Sequence, residues 1–383
     1  MDMTRRPMRV FLLGAMVLGF SGAALAQVPA GAEFRVNAYT TNRQFAVRPA
    51  MEPDGDFVVV WHSQGQDGDD YGIFARRFAA SGAPRGGEFQ VSVYTTGFQM
   101  EPAAAVGSAG EFIVVWRSAQ DGSVSSIQGR RFAASGSPIG GEFLVNTYTT
   151  GFQYGPQVGR ASDGRFVVSW VTPGADGSLY GIAARRFDAS GDPVGSQFVV
   201  NTYTTGEQML GALAVEGNGN FVVVWEDYNG NRDGSDSAIF GQRFDASGNR
   251  LGSEFLVNTH TTGRQGRPSV SVSPAGGFVV AFQEEFGDGS SYGVFARRYD
   301  AAGSAVGNDF VVNAYTTASQ MPHSSQVVTH DARGNFVVTW LGQDSPTLGA
   351  VGIRGQRFNA SGARRGSEFG VNTYTTGTQR RSS

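Results

Sequence analysis

Phe57-Val58-Val59-Val60-Trp61 is apolar at every position, and the same run returns at Phe112–Trp116, Phe166–Trp170, Phe221–Trp225, Phe278–Phe282 and Phe336–Trp340. In an extended strand, alternate side chains point to opposite faces, so Phe57, Val59 and Trp61 face one way and Val58 and Val60 the other. A strand that is apolar on both faces has to be covered on both. The flanking text recurs too. A run of small residues precedes it (Pro102-Ala103-Ala104-Ala105-Val106), and Gly72-Ile73-Phe74-Ala75-Arg76-Arg77-Phe78 follows it. A tight Ala79-Ala80-Ser81-Gly82 turn then leads into Glu88-Phe89-Gln90-Val91. The period is about 55 residues, the signature of units that bury their apolar faces only against neighbouring copies.

Each unit therefore predicts four strands in the order inner, Trp, Arg and outer, and no helical periodicity appears after residue 26. The small residues of the first strand suit the narrow interior of a radial sheet. The expected fold is all-β, a β-propeller of six four-stranded blades, with an open repeat array as the alternative. The outer-strand motif occurs seven times, at Phe34, Phe89, Phe143, Phe198, Phe255, Phe310 and Phe369. With six units to complete, ring closure uses Glu33–Val36 or Glu368–Val371 and leaves one copy over.

The FVVVW…RFDASG…EFxVNTYTTGxQ unit resembles tandem repeats of exported bacterial proteins and is similar to propeller repeats of the delta-60 class. The resemblance covers the chain after residue 26 and implies a fold without implying an activity. Residues 1–26 read as a signal peptide: Arg5, Arg6 and Arg9 precede an apolar stretch, Val10–Phe20, and a small-x-small end at Ala24-Leu25-Ala26. Residues 27–383 then form a single repeat domain, exported to the periplasm or the extracellular space. No segment predicts a membrane span.

The chain has no cysteine, so disulfides contribute nothing. All thirty basic residues are arginine, and the net charge of −3 argues against nucleic acid as a partner. The expected partners are an extracellular glycan, peptide or protein, met by a monomer through its loops.

Strand direction puts the YTTGxQ loops and the DG-containing loops on one face. The repeated Gln (Gln44, Gln99, Gln153, Gln208, Gln265, Gln320 and Gln379) is expected to satisfy backbone groups at the crossover between units. Asp-Gly marks a turn, and calcium needs six to eight oxygens. The metal candidates are therefore confined to the densest acidic loops, Asp67, Asp69 and Asp70, and Asp233 and Asp236, with no cofactor required. Arg77, Arg131, Arg186, Arg243, Arg298 and Arg357 are expected to pair with the acid before the outer-strand Phe, such as Glu88 or Glu142. The four histidines, His62, His260, His323 and His330, are expected at the surface.

Chemistry that breaks the symmetry concentrates after the Trp strands of units four and five. The run from Glu226 to Asp233 is longer than its equivalents, and Glu284-Glu285-Phe286 with Asp288 is more acidic. The ligand-binding candidates are Asp227, Tyr228, Asp233, Glu284, Glu285 and Asp288, read as solvated loop residues. The leading expectation is a non-enzymatic binding or adhesion protein. The alternatives are a polysaccharide-active hydrolase or lyase on units four and five, and a structural component of an envelope or matrix.

Overall fold

The computed structural model describes residues 31–230, 232–289, 291–316, 319–320, 327–343 and 351–373; the signal-peptide reading, His323 and Gln379 lie outside them. The described residues form twenty-four strands, β1 to β24 in chain order, four to a sequence unit, and no helix. Unit one shows the pattern with β1 (Gln44–Met51), β2 (Phe57–Gln64), β3 (Tyr71–Phe78) and β4 (Phe89–Gln90), paired in that order. Pairing is antiparallel, and Phe57 at the start of β2 lies opposite Phe78 at the end of β3. Units two to six repeat the meander, and the arrangement is a β-propeller.

The sheets differ from the expected six separate ones. Four sheets have four strands each, and units three and four share one eight-stranded sheet. What joins them is a single parallel contact, Tyr180 of β11 (Tyr180–Phe187) against Glu207 of β13 (Glu207–Val215). Elsewhere the same crossover leaves only isolated bridges, Tyr71 with Phe98 and Ser125 with Phe152, so a slightly longer β13 accounts for the fusion.

The core lies between units. Trp225, Val223 and Phe221 of β14 (Phe221–Tyr228) pack with Val167 and Val171 of unit three. Val222 and Val224, on the other face of the same strand, pack with Val270, Phe278 and Val280 of unit five. Two-sided burial of the Trp strand is thus realised as one face per neighbour. Trp61, Trp116 and Trp225 are fully buried, and Phe282 fills the equivalent place in unit five.

The inner strands of units one to five carry a bulge near their start, with a register shift between Met209 and Ala212 in β13 and between Gly266 and Ser269 in β17 (Gln265–Val272). The bulged residue has a left-handed backbone: Ala46 at φ 51°, Glu101 at 55°, Gly155 at 62°, Leu210 at 50° and Arg267 at 53°. Four of these five carry a Cβ, and a left-handed backbone is unfavourable for such residues.

Trp116→Ala is expected to destabilise the fold by about 3 to 5 kcal/mol in denaturant unfolding, because truncation leaves a cavity between two units. Trp116→Phe should cost far less, as Phe282 serves the same position; equal losses would contradict this account of the packing.

Candidate functional site

The repeated loops are built inward. Gln99, Gln153, Gln208 and Gln265 are fully buried, and their side-chain amides donate to the Thr carbonyl three residues earlier at 3.0 to 3.2 Å. In two units the Gln also accepts from the tryptophan indole, Trp170 to Gln153 at 3.0 Å and Trp340 to Gln320 at 3.1 Å. The Asp of the DG loops joins the same network: Asp176, Asp233 and Asp288 each accept from Asn201, Asn258 and Asn313 at 2.8 to 2.9 Å. These loops secure the crossover from one unit to the next.

Asp233 accepts from Ser235 N–H and from Asn258, while Asp236 is exposed. Asp69 accepts from Gly97 N–H at 2.9 Å, Asp67 is half-buried and Asp70 exposed. Among the described residues, the three carboxyls whose oxygens lie within 4.8 Å of one another are Glu52, Asp54 and Asp56, in the β1–β2 turn.

Arg131, Arg186, Arg298, Glu88 and Glu142 serve backbone rather than pairing as expected. Arg131, Arg186 and Arg298 donate to Ala189, Ala246 and Ala360 carbonyls in the turn of the following unit, at 3.0 to 3.2 Å. Glu142 accepts from Val93 N–H, and Glu88 from Tyr39 N–H at 2.5 Å. A carbonyl at a turn is a fixed acceptor, and an orphan loop N–H a fixed donor, so these charges find partners in the backbone.

His62 is buried, correcting its expected surface position: its ring meets Tyr71 edge-on at 5.2 Å and its Nδ1 lies 3.4 Å from Glu101 N. His330 is also largely enclosed, 2.9 Å from Ser271 Oγ, and burial pushes its pKa down to about 4.

Units four and five hold the carboxyls that depart from the repeat. On β14, Glu226 follows Trp225 and points at unit five; Asp227 points back at unit three. Glu226 accepts from the N–H of the left-handed Arg267 at 3.2 Å, and a Cβ at Gly266 would lie 2.6 Å from its Oε2, so glycine makes room for the carboxyl. Burial raises the pKa of Glu226 against the pull of that N–H and of Arg264 and Arg267. The Arg264 guanidinium lies 4.9 Å from the Tyr228 ring centre, and Arg264 N–H donates to Glu285 at 3.2 Å. Glu226, Tyr228, Arg264, Arg267 and Glu285 therefore meet at the start of β17.

Asp227 and Glu284 lie elsewhere, in the junctions. Asp227 is buried, 2.8 Å from Gln208 and 3.7 Å from Arg232. Burial raises its pKa, with the Gln208 and Arg232 interactions opposing. Arg232 itself is packed over Phe240, 3.6 Å from the ring centre, and ion-paired to Glu254 at 2.8 Å. Glu284, on β18 (Phe278–Glu285), is 1% exposed with His260 Nδ1 at 2.8 Å. Burial first, then Asp309 and Asp288, push its pKa up to about 8. Two of the carboxyls expected as solvated are thus enclosed, and Glu226, outside the sequence-based candidates, joins Tyr228 and Glu285. Strand parity was the available signal, since Glu226 occupies the place of Val171 and Leu341.

No protein-family model matches the sequence, and no curated protein does. Among solved structures, the chain resembles a protein of unknown function from Dyadobacter fermentans at 9% identity, over 84% of this chain and 92% of that one, with a TM-score of 0.51. An α-L-arabinofuranosidase from Fusarium graminearum follows at 12% identity, covering 83% and 93%, TM-score 0.49. An α-L-arabinanase from Penicillium chrysogenum, solved with arabinobiose, gives 12%, 73% and 95%, TM-score 0.45. At these identities the likeness shows the fold alone. The expectation of a non-enzymatic binding or adhesion protein is nonetheless corrected. Asp227 and Glu284, which that expectation reads as solvated loop acids, are buried.

The raised pKa of Glu284 fixes a pH dependence. A carboxyl whose folded pKa lies above its unfolded value contributes stability below about pH 4.5, and that contribution is lost as pH rises through about 8. Glu284→Gln should therefore melt progressively higher than the parent chain between pH 5 and 8.5 in thermal scans; a constant difference across that range would overturn the assignment.

Proposed function

We propose that the chain is an exported polysaccharide-active hydrolase whose six four-stranded units are the blades of one propeller, with its site at the junction of units four and five. The carrying observation is the placement of Glu226: a buried carboxyl with a raised pKa, held by the N–H of a left-handed residue on an inner strand. Hydrolysis of a glycosidic bond needs one carboxyl that is protonated and one that is ionised. Burial makes Glu226 the proton donor to the departing sugar oxygen. Glu285, held by Arg264 N–H, is the second carboxyl, which activates water or attacks the sugar carbon.

The spacing is compatible with that chemistry. The two N–H groups that anchor these side chains, on Arg264 and Arg267, are three residues apart, at most about 10 Å along an extended chain. Glycosidase carboxyls lie roughly 5 to 9.5 Å apart. Tyr228 with Arg264 against its face offers a flat surface of the kind a sugar ring covers, and Arg267 carries positive charge beside the donor.

Release of reducing sugar from a panel of plant and bacterial polysaccharides, arabinan included, tests the proposal. Glu226→Gln should lower kcat by about 10² to 10⁴, the range of general acid catalysis, with little change in KM. Glu285→Gln should do the same. Because the Glu226 pKa is raised, the alkaline limb of the pH–rate profile should lie above the usual carboxylate range and vanish in Glu226→Gln. Full activity in both variants, or none in the parent chain across the panel, would overturn it.

A further inference from the structure

The outer strands are linked by hydrogen bonds that form a closed cycle, and the cycle has one more member than there are complete units. The residue before each outer-strand Phe accepts from a loop N–H that follows the previous outer strand. Glu88 takes Tyr39, Glu142 takes Val93 and Gln197 takes Thr147. Glu254 takes Thr202, Asp309 takes Thr259 and Glu368 takes Ala314. The seventh link joins the two ends of the ring: Glu33 accepts from the N–H of Thr373 and from its hydroxyl at 2.8 Å.

The segment around Phe34 therefore occupies a ring position of its own. It packs on unit one as each outer strand packs on the unit after it, with Phe34 5.4 Å from Phe78 and Val36 fully buried. Arg76 donates to its Val36 carbonyl at 3.0 Å, just as Arg130 donates to Val91 and Arg185 to Val145. The outer strand of unit six, β24 (Phe369–Gly370), meanwhile pairs with β23 (Val351–Phe358). Neither terminal copy is spare, contrary to the expectation that one would be.

The surface that follows β24 is less covered. Val36, Val91, Val145, Val200, Val257 and Val312 are all 0% exposed, whereas Val371, at the same repeat position, is only half-buried. Phe34, Phe89, Phe143, Phe198, Phe255 and Phe310 each touch an aromatic ring of the next unit, and Phe369 touches none among the described residues. In the turns, Gly136, Gly191, Gly248, Gly303 and Gly362 each lie beside an arginine of the preceding unit; at Gly82 of unit one the nearest atoms belong to Phe34.

We propose that the ring has seven stations, and that the seventh, between unit six and unit one, is a docking site for a three-stranded meander of this same repeat class. The occupant supplies an inner strand, an FVVVW-type strand and an ARRF-type strand; residues 33–37 already supply the outer one. Its aromatic pair covers Phe369, its buried valines cover Val371, and its arginine takes the Val371 carbonyl. The closed hydrogen-bond cycle fixes the width of the opening, which is why a repeat fits it and an arbitrary apolar segment does not. The inference rests on the ring and is independent of the hydrolase reading.

The test appends a second copy of residues 45–85 after Gln379 of the full chain, in register with the YTTGxQ motif there. The control carries Trp61→Ser and Phe78→Ser in the appended copy only. Amide exchange at Val371 N–H should slow at least tenfold, and the melting temperature should rise by about 4 °C or more, relative to that control. Equal exchange and melting in the two fusions would overturn the proposal. A parent chain that sediments as a dimer, with Val371 protected only at high concentration, would also overturn it, since a second copy would then cover the face.

Discussion

Three aromatic rings at each junction hold consecutive units together. Within a unit, the first residue of the Trp strand stacks on the last residue of the Arg strand, Phe112 on Phe132 at 4.9 Å and Phe166 on Phe187 at 4.8 Å. The outer-strand Phe of the unit before leans on that pair, Phe89 on Phe132 at 5.7 Å and Phe143 on Phe187 at 5.5 Å. Tilted and offset aromatic contacts of this kind add to area burial. The consequence is that no unit completes its own core; each is finished by its predecessor's last strand. The constraint reaches the backbone as well. At Gly129 and Gly241 a Cβ would lie 2.5 Å from the ring of the unit's own outer-strand Phe, so close approach of that ring excludes a side chain there.

This dependence explains why the architecture was legible and the sheet count was not. A strand apolar on both faces, repeated at fixed spacing with tight turns, has few solutions other than radial packing, and Phe57–Trp61 alone carried most of that inference. The sharing of one sheet by units three and four depends on one contact between Tyr180 and Glu207, a matter of a residue or two at a strand start. Periodicity does not encode a detail that small. The two terminal outer-strand motifs are likewise visible as one copy too many, but the packing of Phe34 on Phe78, the pairing of β24 with β23 and the Glu33–Thr373 contact show that both are used.

The site was less legible because acids after a strand look like solvated loop acids whichever way they point. Asp227, Glu284 and Glu285 were all read that way, yet Asp227 and Glu284 enter the junctions and only Glu285 remains beside Tyr228 and Arg264. The difference is parity along the strand, one residue at a time. Equally, the histidines were read by scarcity, whereas His62 occupies the position that Glu226 has in unit four and is buried for the same reason.

That shared position is where a repetitive chain has freedom to specialise. The residue after the tryptophan, or after Phe282, is His62, Arg117, Val171, Glu226, Gln283 and Leu341 in the six units, more varied than any position within the FVVVW run itself. In units one and four, its side chain approaches the N–H of the next unit's left-handed bulge, His62 at Glu101 and Glu226 at Arg267. The bulge belongs to the blade, since five units share it, so its strain cannot by itself mark function. The residue beside it differs freely, because the aromatic junction that holds the units together lies at the opposite end of the same strand. Packing therefore fixes one end of every Trp strand and leaves the other free to vary, and in unit four that end carries a buried carboxyl.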